Sequence, residues 1–253
     1  MTEFLRQWLL VFRRERNALL TLPLYYVLCG IFFLLTALIY LGTLVEFSRG
    51  GEGTTVNATA SVIRPVFHMV HFFLLVQIPL LTMRVFSEEH ANGMLELLQT
   101  TRLRDWALLL GKFTGTFGAM AIYLLLTFLF PITTAMLGTV EWPVVIGGML
   151  ALLASAAAYT AIGIFFSALT ESQVVAAVFS YVALFLLVFS QALADTAHVG
   201  ALQDFTRHFS VMEHVGAILS GNIAVMNVAY FVLLTITCLF LTARALELRH
   251  GKA

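Results

Sequence analysis

The pair Gly111-Lys112 is the first place where this sequence could carry chemistry, because a Gly-Lys pair ends many phosphate-binding loops. Such a loop needs a glycine five positions before the second one, and a hydroxyl directly after the lysine to bind magnesium. Trp106 stands at the glycine position and Phe113 at the hydroxyl position. The sequence therefore excludes nucleotide binding by this loop.

Histidine and cysteine are the other residues that could carry chemistry. His68 and His71 are three positions apart, so on a helix they share a face and could share a metal ion. Imidazole serves many other purposes, and we favour local hydrogen bonds for both. Cys29 and Cys238 are the two cysteines of the chain, and both fall inside long apolar runs. They predict neither a disulfide framework nor a cysteine-rich metal site.

The composition is that of a membrane protein. Hydrophobic residues make up 60% of the 253 residues and charged residues 11%, whereas a soluble domain carries about 25% charged residues. A membrane-spanning helix needs about 20 apolar residues. Six runs qualify: Leu22 to Val45, Val66 to Val85, Phe113 to Leu137, Pro143 to Leu169, Val174 to Ala194 and Ile223 to Ala243. We predict an all-α membrane protein with six transmembrane helices in one domain, residues 1–253.

Orientation follows from the basic residues, which membrane proteins retain on the cytoplasmic side. With the N-terminus inside, the cytoplasmic side holds eleven of the 14 basic residues: Arg6, Arg13, Arg14, Arg16, Arg84, Arg102, Arg104, Lys112, Arg244, Arg249 and Lys252. The outer side then holds Arg49, Arg64 and Arg207. Both termini are therefore predicted to be cytoplasmic, and this topology argues against a nucleic-acid partner.

The first twenty residues have the pattern of an amphipathic helix. Phe4, Trp8 and Phe12 recur at helical spacing, while Arg6 and Arg13 take the other side. Such a helix is typical of the membrane surface, with the arginines toward anionic lipid. Residues 1–20 are therefore predicted to form an interfacial helix that contacts membrane lipids.

A polar segment from Ser87 to Lys112 separates the second and third spans, although a short loop would suffice there. Its acidic start, Glu88 and Glu89, is followed by Gly93 and by an apolar stripe. Two acids in the first turn would favour a helix. We predict a cytoplasmic amphipathic helix over 87–101 that docks onto something outside the bilayer, and the resemblance described next implies that it is a coupling helix.

This segment resembles the first cytoplasmic segment of ABC-2 type permeases, in the branch with the gliding-motility and nitrous-oxide-reductase maturation permeases. The residues that carry the resemblance are Glu88, Glu89, Gly93, Leu95, Glu96, Leu97, Leu98, Trp106, Gly111 and Lys112. Met94 departs from the usual threonine, and Arg102 from the usual proline. By resemblance, Glu88, Glu89, Gly93, Glu96 and Leu97 are the candidate contacts with a separate ATPase subunit, and the N-terminal helix also touches that subunit.

The segment 195–222, between the fifth and sixth spans, is too long for a turn and too apolar for a free loop. Backbone exposed to lipid must satisfy its own hydrogen bonds, so short helices here must be buried in protein or lie at the interface. By resemblance they are outer re-entrant helices that cap a translocation path, with an interfacial loop as the alternative. The candidate gating residues are His208, Phe209, Glu213, His214 and Gly221. Asn227 stands where the branch usually has an acid.

The resemblance implies the permease subunit of an ATP-driven exporter in a bacterial inner membrane, working as a permease dimer with two separate ATPase subunits. The chain itself would be non-catalytic and without a cofactor, because ATP and magnesium would bind to the ATPase. The alternatives are an ABC complex that transmits force to an extracytoplasmic partner and a membrane-embedded metal-handling protein. A proton-coupled carrier is disfavoured, because buried carboxylates are nearly absent from the spans.

Overall fold

The computed structural model describes residues 2–50, 57–93, 105–197, 210–222 and 224–250. Ten α-helices occur in these ranges, and no strand is found there. They are α1 (Thr2–Thr21), α2 (Pro23–Gly50), α3 (Arg64–Thr82), α4 (Arg84–Ala91), α5 (Asp105–Thr127), α6 (Leu129–Leu137), α7 (Trp142–Leu169), α8 (Gln173–Ala197), α9 (Val211–Leu219) and α10 (Val225–His250). A short π-helical turn, Thr59–Ile63, leads into α3.

Six stretches are long and apolar enough to cross a membrane, as the sequence predicts. They are Pro23–Arg49, Thr59–Ala91, Asp105–Leu137, Trp142–Leu169, Gln173–Ser190 and Val225–Leu248. The second and third stretches are longer than predicted. The third begins at Asp105, eight residues before the predicted start at Phe113, so that Lys112 lies inside a helix.

Helix α7 lies at the centre of the bundle, where it packs against α3, α5, α8, α9 and α10. Its small residues Gly147, Ala151 and Ser155 are buried within the chain, so this face packs against other helices of the same chain. Two glycines of α7 allow α3 to approach closely. A Cβ at Gly148 would stand 2.6 Å from the Phe67 ring, and one at Gly163 would stand 2.8 Å from the Thr82 Cβ.

Two breaks interrupt the long helices. Proline lacks the N–H that would bond the carbonyl four residues earlier, so it bends a helix. Pro131 lies just after the break at Phe128 that separates α5 from α6. Helix α3 runs through Pro79 and ends at Thr82, with Met83 separating it from α4.

The predicted coupling segment and the predicted outer segment lie at opposite ends of α3. Helix α4 continues from the C-terminal end of α3. At the other end, the Arg64 guanidinium approaches the carbonyl of Ser220, just after α9, at 3.4 Å. The bundle therefore separates two candidate sites by the length of a membrane span.

Candidate functional site at the end of helix α4

The N-terminal helix packs along the first half of α5. Gly111 and Gly115 allow the close approach, because a Cβ at Gly111 would stand 2.6 Å from the Val11 Cβ and one at Gly115 would stand 2.8 Å from the Glu15 Cβ. The Trp8 indole N–H donates to the Thr114 hydroxyl at 3.1 Å. The amphipathic helix predicted over residues 1–20 is thus present as α1, and part of its apolar face contacts protein. Its place at the lipid interface stays a prediction.

Lys112 is the centre of the site, because its side chain is only 2% exposed. The Lys112 Nζ donates to the carbonyl of Val85 at 2.6 Å. It lies 3.0 Å from Oε1 of Glu89 and 3.4 Å from Oε2 of Glu15. It also lies 4.9 Å from the centre of the Phe86 ring, a distance at which a cation is attracted to the ring face. One lysine of α5 therefore binds both α1 and α4.

The two carboxylates around Lys112 are themselves largely buried. Their side chains are 15% exposed at Glu15 and 13% at Glu89. Burial raises the pKa of the Glu15 carboxyl, the nearby Lys112 charge opposes that shift, and the Glu89 charge adds to it. Arg14 lies 3.7 Å from Glu89 at the exposed edge. We call Arg14, Glu15, Glu89 and Lys112 the ionic cluster.

Glu88 points away from this cluster, although it is the neighbour of Glu89. Its carboxylate accepts from the Arg84 guanidinium at 2.9 Å and 3.0 Å, and its side chain is 43% exposed. Successive residues on an α-helix are turned by about 100°, so neighbouring acids face different surroundings. The sequence analysis assigns the two acids one shared role. In the structure Glu89 is largely buried, whereas Glu88 is at the surface.

The helix that carries these acids differs from the predicted one. Helix α4 begins at Arg84 and ends at Ala91, so Glu88 and Glu89 lie in its second half and not in a first turn. A negative charge there opposes the helix dipole, and Arg84 and Lys112 offset it. Gly93 has a φ of +64°, a left-handed conformation that favours glycine and ends helices. The predicted continuous helix over 87–101 is therefore interrupted at Gly93, while Glu96 and Leu97 lie outside the described residues.

Ser167 near the end of α7 fastens the start of α4. Its hydroxyl oxygen accepts from the backbone N–H groups of Phe86 at 3.0 Å and Ser87 at 3.1 Å. The same hydroxyl donates to the carbonyl of Met83 at 2.9 Å. The break between α3 and α4 is thereby held against α7, and sequence reasoning gave no indication of this residue.

A cavity of about 400 Å³ opens beside the ionic cluster, between α1, α4 and α5. Charged residues of both signs line it, among them Arg14, Arg84, Glu88 and Lys112. Asn92, just after the end of α4, also lines the cavity, so the end of α4 and the ionic cluster share one opening.

Three of the predicted outer gating residues, Glu213, His214 and Gly221, lie in or just after α9. The Ser210 hydroxyl accepts from the Glu213 backbone N–H at 3.4 Å and caps this helix. The spacing Ser-x-x-Glu is a capping signal that sequence reasoning overlooked. Gly221 ends the helix with a φ of +95°. His208 and Phe209 lie outside the described residues.

His214 joins α9 to the start of α10. Its Nδ1 lies 2.9 Å from Oδ1 of Asn227, and its ring stacks on Tyr230 with centroids 4.3 Å apart. Asn227 therefore links the start of α10 to α9 through an uncharged side chain. A gating function for Glu213, His214 and Gly221 stays a prediction.

The two histidines considered for metal binding have different surroundings. His71 is buried, and its Nε2 lies 2.8 Å from the Tyr159 hydroxyl. His68 is half-buried one turn earlier. Within the described ranges, no three His, Cys, Asp or Glu side chains are grouped closely enough to hold a metal ion.

The comparison with known families agrees with these features. The profile of the ABC-2 family transporter protein matches residues 54–244, and the chain belongs to this family. It is therefore a multi-pass membrane protein and the permease component of an ABC transporter, whose ATPase is a separate partner. No curated protein matches the chain.

We expect Gly115→Ala to loosen α1, because the added Cβ would meet the Glu15 Cβ at 2.8 Å and the Phe12 carbonyl at 3.2 Å. Hydrogen exchange of residues 2–21, measured by mass spectrometry in lipid nanodiscs, should rise several-fold. Gly118→Ala is the matched control, because its nearest neighbour, the Phe12 ring, would be 3.6 Å away. Equal exchange in both variants would contradict the docking of α1 through Gly115.

Proposed function

We propose that the chain is the permease subunit of an exporter that couples ATP hydrolysis by a separate ATPase subunit to substrate translocation across a bacterial inner membrane. Both termini lie in the cytoplasm. Two permease subunits, of this chain or of this chain and a related one, assemble with two ATPases. ATP and magnesium bind to the ATPases.

The observation that carries this proposal is the ionic cluster at the end of α4. It joins the end of the second span to the N-terminal helix and to the start of the third span through one buried lysine. Buried ion pairs resist separation, because a lone buried charge is strongly unfavourable. A push on α4 from a cytoplasmic partner would therefore move α1 and α5 together with it.

The Gly-Lys pair supports an ATP site on a separate subunit. The Lys112 amine is occupied by Val85, Glu89 and Glu15, and Gly111 lies under Val11. A phosphate-binding lysine needs its amine at the end of an open loop. Both residues instead serve the contacts between α1, α4 and α5.

Force transmission to an extracytoplasmic protein is the second candidate function. Helix α9 favours it as a place for such contacts, because Met212 and Glu213 are exposed while Val211, Val215 and Ile218 are buried. The described part of this outer segment thus has one face on the bundle and one face free for a partner or for lipid.

Reconstitution tests the proposal and separates the two candidates. The permease and the ATPase encoded beside it are co-purified and placed in liposomes, and ATP hydrolysis is measured. We expect a stable complex whose hydrolysis rises at least several-fold with a transported substrate and no added protein. Stimulation that requires an extracytoplasmic protein would favour force transmission, and failure of any adjacent ATPase to bind would overturn both candidates.

A further inference from the structure

Helix α2 carries polar residues along the face that it turns toward the bundle. Tyr25, Cys29, Thr36 and Tyr40 follow one another at steps of four, seven and four residues, a spacing that puts them on one helical face. Tyr25, Thr36 and Tyr40 are buried and Cys29 is half-buried. Most of the other faces of α2 are exposed and apolar, as at Val27, Leu34 and Leu38.

The third span presents a matching face. Thr116, Tyr123, Thr127 and Thr134 are all buried and follow at steps of seven, four and seven residues along α5 and α6. These four residues are uncharged, as are the four polar residues named on the bundle-facing side of α2. Two polar faces thus run through the membrane-spanning part of one chain.

Several hydrogen bonds join the two faces. The Tyr25 hydroxyl donates to the carbonyl of Ala119 at 2.8 Å, and the Thr134 hydroxyl donates to the Tyr40 oxygen at 3.2 Å. Gln77 of α3 reaches the same seam, because its Nε2 donates to the Cys29 sulfur at 3.2 Å. We call the faces of α2 and α5–α6, together with Gln77, the polar seam.

Three atoms of the seam are fully buried without a hydrogen-bond partner in the described part of the chain. They are the Gln77 Oε1, the Thr116 hydroxyl and the Tyr123 hydroxyl. The Tyr123 hydroxyl lies near the Thr36 side chain of α2, but it makes no hydrogen bond of normal geometry. Within a bilayer such groups are unfavourable unless they are satisfied internally.

We propose that the polar seam is an internal water-binding site. A buried water needs two to four polar partners, and the seam offers donors and acceptors from α2, α3 and α5. Water in the seam also allows α2 to separate from α5, because the hydrogen bonds between the two helices can be replaced by hydrogen bonds to water. This inference does not depend on the coupling role of the ionic cluster.

The first test measures the reaction of Cys29 with a water-soluble methanethiosulfonate reagent. Thiols react as thiolates, so the reaction needs water at the sulfur. The permease with Cys238→Ala is compared in nanodiscs with a variant carrying Cys29→Ala, Cys238→Ala and Gly30→Cys. Gly30 is the matched control at the same depth, because it is exposed and has no atom within 4 Å of a built Cβ.

We expect Cys29 to react at least tenfold faster than the thiol introduced by Gly30→Cys. Adding Tyr123→Phe and Thr116→Val should remove most of that difference, because both changes delete partners of the water. Equal rates at the two positions would overturn the proposal, and so would a fast Cys29 rate that the two added changes leave intact.

The second test needs no variant. Hydroxyl-radical footprinting of the wild-type chain, with radicals generated from water by a short X-ray pulse, labels side chains that lie beside bound water. Tyr123 and Tyr159 are equally buried, but the Tyr159 hydroxyl is bonded to His71. We expect several-fold more modification at Tyr123, and equal labelling of the two tyrosines would contradict a water site in the seam.

Discussion

Lys112→Met is expected to destabilise the fold by about 3–5 kcal/mol, the cost of removing one partner from a buried ion pair. The substitution deletes the charge that Glu15 and Glu89 share and the donor that Val85 accepts from. Two largely buried carboxylates would then lose their buried cation, and only Arg14 at the exposed edge would remain to offset them. The thermal midpoint of the purified permease in nanodiscs should fall, and the hydrogen exchange of α1 and α4 should rise.

Arg244→Met is the matched control for this prediction. Arg244 pairs with Glu247 at 2.7 Å, but the two side chains are 61% and 43% exposed, and such surface pairs contribute less than about 1 kcal/mol. The triple change Lys112→Met, Glu15→Gln and Glu89→Gln should recover much of the loss, since it removes the uncompensated charges. A midpoint for Lys112→Met equal to that of Arg244→Met would show that the ionic cluster does not stabilise the fold.

The sequence predicts the six spans because hydrophobic length is a local property. The predicted start of the third span, Phe113, is wrong for a physical reason. Lys112 counts as a loop residue in any hydropathy argument, yet here the helix begins seven residues earlier, at Asp105. The charge is tolerated inside the bundle because Glu15 and Glu89 neutralise it, and those partners come from segments that the local pattern does not connect.

The same limit explains what sequence reasoning missed in the site. Glu15 lies 97 positions from Lys112, and Ser167 lies 80 positions from the Ser87 N–H that it accepts from. Such contacts follow from the packing of α1, α4 and α7 and not from spacing along one helix. The cap at Ser210, by contrast, is a local signal and could have been predicted from Ser-x-x-Glu.

The contacts of α4 define how a movement would pass through the bundle. Its start is fixed to α7 through Ser167, and its end is fixed to α1 and α5 through Glu89 and Lys112. Met83, which separates it from α3, has helical backbone angles and donates its N–H to the Pro79 carbonyl at 2.9 Å, so a displacement of α4 would also be passed to α3. Glu88, at the surface of the same helix, is the described acid of α4 best placed for a partner.

Glu88→Lys is therefore expected to abolish most binding of the ATPase while leaving the permease folded. The change removes the partly exposed ion pair with Arg84, which contributes about 1 kcal/mol or less, and it reverses the charge that a basic surface of the partner would meet. Glu89→Lys is a different experiment, because it places a second cation against buried Lys112 and should destabilise the fold itself. The two acids must therefore be changed separately.

The measurement is co-purification of the ATPase with each permease variant, followed by ATP hydrolysis in liposomes. Glu247→Lys is the matched control, because Glu247 is also 43% exposed and also pairs with an arginine on its own helix, yet it lies near the end of α10. We expect a loss of at least tenfold in recovered ATPase for Glu88→Lys and little change for Glu247→Lys, with equal thermal midpoints. If Glu88→Lys keeps both its partner and its coupled hydrolysis, Glu88 is a solvated residue, and the contact with the ATPase must lie elsewhere on the cytoplasmic side.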